Sequence, residues 1–333
     1  MTLELYPTLR CNLDCGFCDT TERHHPNVEE MGLNEQMRLL EEAHEMGVKR
    51  VFLLGGGEPL LAREITPALM RRTKELGMEG ILTTNGILFD AALTEQVLST
   101  GFDEIHFSID GPDPEVHDAL RGVRGAFRKT VTNIQRLHGE KTARGLDTPR
   151  IALHFVLTNA NFTRLGDMVR LGHALGAFRI DFDALIAYRP EQLVWQLTDA
   201  QRRAVPEHAR EALALAEKLD IATTLENFLQ VENLERGRGA LPTPAQGAEG
   251  LSAAPCLKAW HYLVVQSDGR TSPCCVLAGE GESIMNTSLS GLWSHSPFLN
   301  KVRDGMLQGS PLPRCQECSA NILAHEHVIR SHL

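Results

Sequence analysis

The sequence lacks an excess of positive charge. Its 33 lysines and arginines are outnumbered by 43 acidic residues, which gives a formal net charge of −10. A protein that binds nucleic acid through phosphates needs a basic surface, so this balance argues against a general nucleic-acid binder. Basic residues concentrate in one place, which we interpret as the solvated start of a helix: Arg121, Arg124, Arg128 and Lys129.

Long hydrophobic runs are also missing. No stretch of about 18 apolar residues occurs, so the sequence predicts no membrane-spanning helix. The first residues, MTLELYPTLR, have neither the basic n-region nor the apolar h-region of a signal peptide. We therefore expect a soluble, cytoplasmic protein with no membrane and no nucleic-acid partner. In a reducing compartment eight cysteines rarely form four disulfides, so metal binding or redox chemistry is the better interpretation.

Strand-like and helix-like segments alternate along residues 1–190. The predicted strands are ELYPTL, VKRVFLL, EGILTT, DEIHFSI, RIALHFVL and FRIDFDAL. Each helix between them is predicted to end at a glycine. These glycines are Gly47, Gly77, Gly101, Gly139 and Gly176. Six β–α units of this kind predict an α/β protein with a parallel sheet and right-handed crossovers, rolled into a full or partial barrel.

The pattern changes after residue 190. A long helix is predicted from Asp199 to Leu219, and a Gly/Pro/Ala-rich linker follows it. The segment after the linker holds five of the eight cysteines and a hairpin signal, VVQSDGRTS, with Asp268 and Gly269 at its turn. We therefore divide the chain into a barrel (1–190), a helical segment with a linker (191–250) and a small cysteine-dependent domain (251–333).

Three cysteines, Cys11, Cys15 and Cys18, follow the first predicted strand at the spacing C-x3-C-x2-C. A structural zinc site needs four ligands, usually as two separated pairs. Three thiolates on a [4Fe–4S] cluster leave one iron without a protein ligand, and that open position can bind and activate another molecule. The alternative is a zinc site completed by His24 or His25.

Further motifs follow successive predicted strands. GGGEP (residues 55–59) follows the second strand, TTNG the third, and FSIDG (residues 107–111) the fourth, with HDALRG soon after. Each alone has an ordinary explanation, such as a tight turn or a helix cap at Asp110. The carboxyl ends of barrel strands meet on one face, however, where barrel enzymes build their active sites. The motifs therefore predict one shared site.

Taken together, the cysteine motif with Phe17 inside it, GGGEP and FSIDG resemble the radical S-adenosylmethionine (SAM) superfamily. The resemblance implies a partial (β/α)6 TIM-like barrel in which Cys11, Cys15 and Cys18 hold a SAM-binding [4Fe–4S] cluster. It also implies one-electron cleavage of SAM to a 5′-deoxyadenosyl radical that abstracts a hydrogen atom. The residues expected to contact SAM are Phe17, Gly56, Gly57, Glu58, Asn85, Ser108 and Arg121, with Glu58 as the charge partner of the SAM amine and Arg121 suited to its carboxylate.

The C-terminal cysteines resemble a second motif set of the same superfamily. A cysteine, a hairpin, another cysteine, a helical stretch and a C-x2-C pair are typical of its twitch domain, a shortened SPASM domain. That resemblance implies one auxiliary [4Fe–4S] cluster, and no cysteine after Cys318 is present to build a second. The implied ligands are Cys256, Cys274, Cys315 and Cys318. A four-thiolate zinc site is the alternative.

The three cysteines of the first motif and the four implied ligands of the second account for seven of the eight cysteines. The remaining cysteine has no role in either cluster, and we assign this position to Cys275. It is either the buried neighbour of a cluster ligand or an alternative ligand. The more specific hypothesis is that its thiol donates a hydrogen atom to a substrate radical, as an epimerase requires.

The substrate is expected over the mouth of the barrel, where His154, Asp181, Asp183 and Glu226 lie near predicted strand ends. We first expect a small polar substrate, such as a sugar or aminocyclitol, that is oxidised or epimerised. The alternative is a peptide or protein side chain; the lack of room for a leader-binding domain before Cys11 argues against it. A non-catalytic iron–sulfur or zinc protein is a third hypothesis. The resemblance also implies an electron donor such as flavodoxin or ferredoxin.

Overall fold

A parallel β-sheet forms the centre of the protein. The computed structural model describes residues 1–18, 29–187, 189–234, 251 and 254–317. Within these residues the strand order is β7-β6-β5-β4-β3-β2-β1-β8-β9, and every neighbouring pair is parallel except β8 and β9. The strands are β1 (Thr2–Leu5), β2 (Arg50–Leu53), β3 (Glu79–Thr84), β4 (Glu104–Ser108), β5 (Arg150–Leu157), β6 (Ala177–Ala184), β7 (Ala222–Thr223), β8 (Tyr262–Val265) and β9 (Thr271–Ser272).

Helices connect the parallel strands, as the alternation of segments predicts. They are α1 (Leu33–Glu45), α2 (Ile65–Glu75), α3 (Ala91–Thr100), α4 (Pro114–Arg121), α5 (Ala126–Ala143), α6 (Leu165–Ala174), α7 (Asp199–Lys218), α8 (Lys258–His261), α9 (Leu289–His295) and α10 (Pro297–Leu307). The predicted α/β class and the order of the six β–α units are confirmed. Among the helices of the described residues, none has both the length and the apolar character needed to cross a bilayer.

Two helices differ from the prediction. The helix predicted to end at Gly139 continues as α5 to Ala143, and Gly145, with φ of +63°, follows its end. Helix α4 is not predicted at all. Its N-cap is Asp113, whose side chain accepts a hydrogen bond from the backbone N–H of Val116. The helix thus begins one turn after Asp110, so the ordinary explanation of Asp110 as a helix cap does not apply.

The two faces of the sheet differ in chemistry because side chains alternate along each strand. On one face, apolar side chains from neighbouring strands are fully buried against the helices; examples are Leu53, Leu82, Phe107 and Phe155. On the opposite face, β4, β5 and β6 carry polar side chains. In the register of these three strands Ser108 pairs with His154, and His154 pairs with Asp181. The polar face is the one available for chemistry.

The C-terminal segment joins the same sheet. The predicted hairpin is confirmed as the antiparallel pair β8 and β9, with Gly269 at φ of +81° in the turn. Strand β8 also pairs in parallel with β1, so that Leu5 lies beside Val265. The Tyr262 hydroxyl donates to the Glu4 carboxylate across this pair. The sequence does not predict this pairing, because nothing local joins two strands more than 250 residues apart.

Candidate functional site

Loops at the carboxyl ends of β1 to β4 enclose one pocket. We call it the N-terminal pocket, and the residues that line it include nearly all those predicted from the first motif set. They are Cys11, Leu13, Cys15, Cys18, Leu54, Gly55, Gly56, Gly57, Glu58, Thr83, Thr84, Asn85, Ser108 and Arg121. The predicted residue Phe17 lies buried on the same loop, with the Arg121 guanidinium 5.6 Å from the centre of its ring.

The three N-terminal thiols lie in a largely buried environment. Burial raises the pKa of the Cys11 thiol to about 11, and it also raises the pKa of Cys15, which the nearby Arg121 partly opposes. A metal centre binds thiolates, so loading this site is coupled to proton release. Three thiols in one pocket fit a cluster with one open iron.

Glu58 ties the loop after β2 to the end of β3. Its buried carboxylate accepts hydrogen bonds from the hydroxyl of Thr84 at 2.6 Å, the backbone N–H of Asn85 at 2.7 Å and the backbone N–H of Leu60 at 3.0 Å. Burial raises the pKa of Glu58, whereas these hydrogen bonds lower it. A carboxylate offers about four acceptor positions, so most of the capacity of Glu58 is used within the protein.

Asn85 extends this connection to the cysteine loop. Its side-chain amide donates to the Asn12 side-chain oxygen at 2.7 Å, and its own side-chain oxygen accepts from the Ile87 N–H at 3.0 Å. The Thr130 hydroxyl donates to the Asn85 carbonyl at 2.7 Å. Asn85 therefore links the ends of β1 and β3 at the pocket.

Arg121 forms a buried ion pair under the cysteine loop. Its Nε lies 2.5 Å from Oδ2 of Asp110, and its Nη1 donates to the Cys15 sulfur at 3.8 Å. Asp110 also accepts from the Val156 N–H at 2.9 Å. The charge of Asp110 raises the pKa of Arg121 against the effect of burial, which lowers it. Arg121 is thus not part of a solvated basic run, which corrects that interpretation of the sequence.

Replacing Arg121 with methionine is expected to lower the free energy of unfolding by about 3–5 kcal/mol, because Asp110 loses its partner for a buried charge. Urea unfolding monitored by circular dichroism measures this. The control is Arg124→Met, since Arg124 lies exposed in the same basic stretch, and its effect is expected to stay within about 0.5 kcal/mol. Equal effects of the two variants would contradict the structural role of the ion pair.

Gly57 is required by a close approach of two loops. A Cβ atom built on Gly57 would lie 2.1 Å from the Arg10 carbonyl oxygen and 2.6 Å from the Leu9 carbonyl carbon. The neighbouring Glu58 N–H donates to the same Arg10 carbonyl at 2.8 Å. The loop after β2 thus packs directly against the backbone that leads into Cys11, and any side chain at position 57 pushes the two apart.

The Gly57→Ala variant is expected to lose about 1–3 kcal/mol of unfolding free energy and to bind less iron, because backbone rather than a flexible side chain blocks the new methyl group. Gly139→Ala is the matched control. Position 139 lies inside α5, and a Cβ atom added there would have nothing within 4 Å. Alanine at this position is therefore expected to be neutral or to stabilise by up to about 1 kcal/mol. Normal iron content in Gly57→Ala would contradict this prediction.

A segment after β6 covers the cysteine loop. The Gln192 side-chain amide donates to the Cys18 carbonyl at 2.8 Å, and Arg189 Nη2 donates to the same carbonyl at 2.6 Å. The Trp195 ring packs against Gly16, where a Cβ would lie 2.5 Å from Nε1. The sequence does not reveal these residues, because no motif marks them and the loop they hold is about 170 positions away.

The C-terminal cysteines line a second, apolar pocket. The residues that line this C-terminal pocket are Cys256, Lys258, Ala259, Pro273, Cys274, Val276, Leu277, Val302, Met306 and Cys315. Burial raises the pKa of Cys274, which the N–H groups of Leu277 and Val276 partly oppose, and burial raises the pKa of Cys315 to about 11. Three thiols around one apolar pocket fit a metal–sulfur centre, and the fourth expected ligand, Cys318, lies outside the described residues.

Cys274 and Cys275 differ although they are adjacent. The Cys274 residue caps the short 3-10 turn Cys275–Leu277 and lines the C-terminal pocket, whereas Cys275 is exposed. Cys275 is not among the described residues that line the N-terminal pocket either. The expectation that Cys275 is buried is therefore wrong. The arrangement supports Cys274 as the ligand and leaves the hydrogen-donor role of Cys275 as a hypothesis.

The polar face of the sheet contains a chain of hydrogen-bonded side chains. Glu104 Oε2 lies 2.8 Å from His106 Nε2, His106 Nδ1 lies 2.9 Å from His154 Nε2, and His154 Nε2 lies 3.4 Å from Asp181 Oδ2. Burial lowers the pKa of His106 to about 4, so its ring is neutral at pH 7. Two predicted substrate-facing residues, His154 and Asp181, are thus brought together. His106 was not predicted, and Glu226, which was, is exposed.

Family models match both parts of the chain. Residues 5–168 match the model described as "Radical SAM superfamily", and residues 256–319 match the model of an iron–sulfur cluster-binding domain named SPASM. The first match includes the N-terminal pocket and the second includes the cysteines of the C-terminal pocket. The two matches therefore support the two predicted cluster-binding regions.

Relatives of known name are similar along most of the chain. The PqqA peptide cyclase of Granulibacter bethesdensis is 28% identical over 323 residues, which cover 93% of this chain and 77% of that protein. The PqqA peptide cyclase of Gluconobacter oxydans is 26% identical, covering 95% of this chain and 82% of its own length. An AdoMet-dependent heme synthase of Methanosarcina barkeri is 23% identical, covering 89% of this chain and 83% of the relative.

Solved structures share the fold. Streptococcus suis SuiB bound to its precursor peptide SuiA superimposes with a TM-score of 0.70 at 19% identity, covering 98% of this chain and 73% of SuiB. The structure of anSMEcpe with bound AdoMet gives a TM-score of 0.65 at 16% identity, covering 95% of this chain and 86% of that one. The two family-model matches, to residues 5–168 and 256–319, show that the chain belongs to the radical SAM superfamily and carries a C-terminal SPASM-type iron–sulfur cluster-binding domain.

Proposed function

We propose that this protein cleaves SAM reductively and uses the resulting 5′-deoxyadenosyl radical to modify a side chain of a peptide or protein. The observation that carries this proposal is the similarity to PqqA peptide cyclases over 93% of the chain. A similarity of this extent is not confined to the SAM-binding region that the whole superfamily shares, because it must include much of the C-terminal segment. It therefore supports related chemistry over both parts of the chain, and the peptide substrate rests on the names of the PqqA peptide cyclases, which have the higher identities of the relatives described above.

The chain's own residues have distinct roles in this proposal. Cys11, Cys15 and Cys18 hold the SAM-binding cluster, and Gly56, Gly57 and Ser108 line the space for SAM beside it. Arg121 and Asp110 hold the cysteine loop in position from below. When bound, the cluster and SAM supply one-electron cleavage of the sulfonium and removal of a hydrogen atom from the substrate.

The auxiliary cluster belongs to the same proposal. Cys256, Cys274 and Cys315 line one apolar pocket, and Cys318, which lies outside the described residues, completes the proposed ligand set. Four thiolates close the coordination of a [4Fe–4S] cluster, so its part is electron transfer rather than substrate binding at iron. A donor such as flavodoxin or ferredoxin supplies the first electron.

The expected small polar substrate has less support. None of the relatives described above is named for a sugar or an aminocyclitol, whereas two are named for a peptide. The heme synthase relative keeps a non-peptide substrate as the second candidate. We therefore favour the peptide, which ranks second on the sequence alone.

One experiment separates these substrate classes. The reconstituted protein is incubated with SAM, dithionite and the soluble extract of its own host grown on deuterated medium. Hydrogen abstraction then places deuterium in 5′-deoxyadenosine, which mass spectrometry detects. Digestion of the extract with proteinase K is expected to remove this deuterium transfer. Deuterium transfer that persists after the digestion would contradict a peptide substrate and support the small-molecule hypothesis instead.

The outcome of the reaction is tested on the isolated product. Loss of two hydrogens indicates oxidation or cross-linking, which would make the enzyme an oxidoreductase. An unchanged formula with deuterium taken up from heavy-water buffer indicates epimerisation. We propose oxidation. Besides the N-terminal pocket for the SAM-binding cluster, the protein has the C-terminal pocket, whose proposed auxiliary cluster can accept an electron from the substrate radical.

A further inference from the structure

Three Lewis-basic atoms lie close together on the polar face of the sheet. They are Nδ1 of His106 on β4, Nε2 of His154 on β5 and a carboxylate oxygen of Asp181 on β6, and all lie within 4.8 Å of one another. The two imidazole rings stack with their centres 5.0 Å apart. Each residue comes from a different, adjacent strand, so the backbone of the sheet fixes their spacing.

The hydrogen-bond pattern shows that these atoms share a single proton. Nε2 of His106 donates to the buried Glu104 carboxylate at 2.8 Å, which leaves Nδ1 of the same ring with a lone pair. That lone pair faces Nε2 of His154 at 2.9 Å, so the His154 ring provides the hydrogen between them. The same His154 nitrogen lies 3.4 Å from Asp181 Oδ2. If this proton moves to Nδ1 of His154, all three of these neighbouring atoms have a lone pair available for a metal ion.

The second layer of contacts is the kind that metal sites use. A metal-binding histidine usually donates its other ring N–H to a carboxylate, which fixes the tautomer and the orientation of the ring. Glu104 has this position behind His106, and Arg150 binds the other oxygen of Glu104. Glu104 is only 3% exposed, so its orientation is set by the protein.

We propose that His106, His154 and Asp181 bind a divalent first-row transition-metal ion, with Glu104 as the positioning carboxylate. Two imidazole nitrogens and one carboxylate suit manganese, iron or zinc and leave coordination positions open. His154 is paired in register with Ser108, which lines the N-terminal pocket. The proposed site therefore adjoins the strand end at which Ser108 lines the N-terminal pocket.

Arg179 limits the affinity of this site. Its Nε lies 3.1 Å from Asp181 Oδ2, and its guanidinium is also 4.0 Å from Glu104. A bound cation therefore competes with Arg179 for Asp181, and Coulomb repulsion between the two lowers the affinity. The proposal consequently predicts that Arg179→Gln binds the metal more tightly than the parent protein.

The test uses the holoprotein with both clusters reconstituted and oxidised, a state in which they give no EPR signal. Mn²⁺ is the probe, and the signal of the free aqua ion reports how much remains unbound. We expect one Mn²⁺ per chain. His154→Ala and Asp181→Asn are expected to abolish binding, and Glu104→Gln to weaken it by about tenfold or more.

Asp183→Asn is the matched control, since Asp183 lies on the same face of β6 but outside the triad. It is expected to bind Mn²⁺ like the parent. A parent protein that leaves all Mn²⁺ free overturns the proposal, as does equal binding by His154→Ala. Because the readout is binding, the result does not depend on the proposed substrate.

Discussion

Replacing Cys15 with alanine is expected to abolish the formation of 5′-deoxyadenosine from SAM. Among the residues that the structure describes, three cysteines line the N-terminal pocket, and each is expected to bind one iron of a cluster whose fourth iron stays open. Cys15 is also the most buried of the three and accepts a hydrogen bond from Arg121 Nη1. Its loss therefore removes a ligand at a position that solvent cannot readily replace.

The measurement is 5′-deoxyadenosine by liquid chromatography after incubation with dithionite, together with the iron content of the reconstituted protein. About four irons per chain are expected to be lost, because the site no longer holds its cluster. The control is Asp14→Asn, which changes an exposed side chain of the same loop. It keeps the backbone N–H that donates to the Arg121 carbonyl at 3.1 Å. Cleavage of SAM by Cys15→Ala at the parent rate would refute the assignment of the site.

The second large effect is expected in the C-terminal pocket. Cys274→Ala should lose about four irons per chain and form no modified product, because one of the proposed auxiliary ligands is gone. Cleavage of SAM itself should persist, since the N-terminal pocket is lined by different residues. Iron analysis, 5′-deoxyadenosine formation and product mass spectrometry measure the three quantities separately.

Cys275→Ala is the natural companion of this variant, because the two thiols are adjacent and only one lines the pocket. Iron content, SAM cleavage and product yield are all expected to match the parent. Loss of product with both clusters intact would instead support the hypothesis that Cys275 donates a hydrogen atom. Loss of iron in Cys275→Ala but not in Cys274→Ala would show that Cys275, and not Cys274, is the cluster ligand.

The parts of the fold that depend on local pattern could be predicted from the sequence. The strands β3 and β5 match the predicted segments EGILTT and RIALHFVL at both ends, because apolar residues and turn signals bound them clearly. The predicted end of helix α5 at Gly139 was too early. A glycine ends many helices, but here the residues after Gly139 continue the helix to Ala143. Such an exposed glycine costs about 1 kcal/mol, which is too little to stop a long helix packed on the core.

The site was predicted where motifs exist and missed where long-range contacts define it. The three thiols, Glu58 and Asn85 were found because each follows a strand at a recognisable spacing. Gln192 and His106 were not found, since an isolated glutamine or histidine has many ordinary roles. Glu58 shows the limit most clearly. We expected its carboxylate to face the SAM amine, and that remains a prediction, but three hydrogen bonds within the protein already use it.

The pairing of β8 with β1 has a consequence for any attempt to divide this protein. Strand β1 leads within a few residues to Cys11, and in the intact chain it is an interior strand with neighbours on both sides. Removing residues 251–333 would turn it into an unprotected edge, whose bare amide and carbonyl groups invite intermolecular strand addition. The SAM-binding half is therefore unsuited to separate expression. If such a fragment aggregated, the cause would be the loss of the β8 partner of β1 rather than damage to the cofactor site.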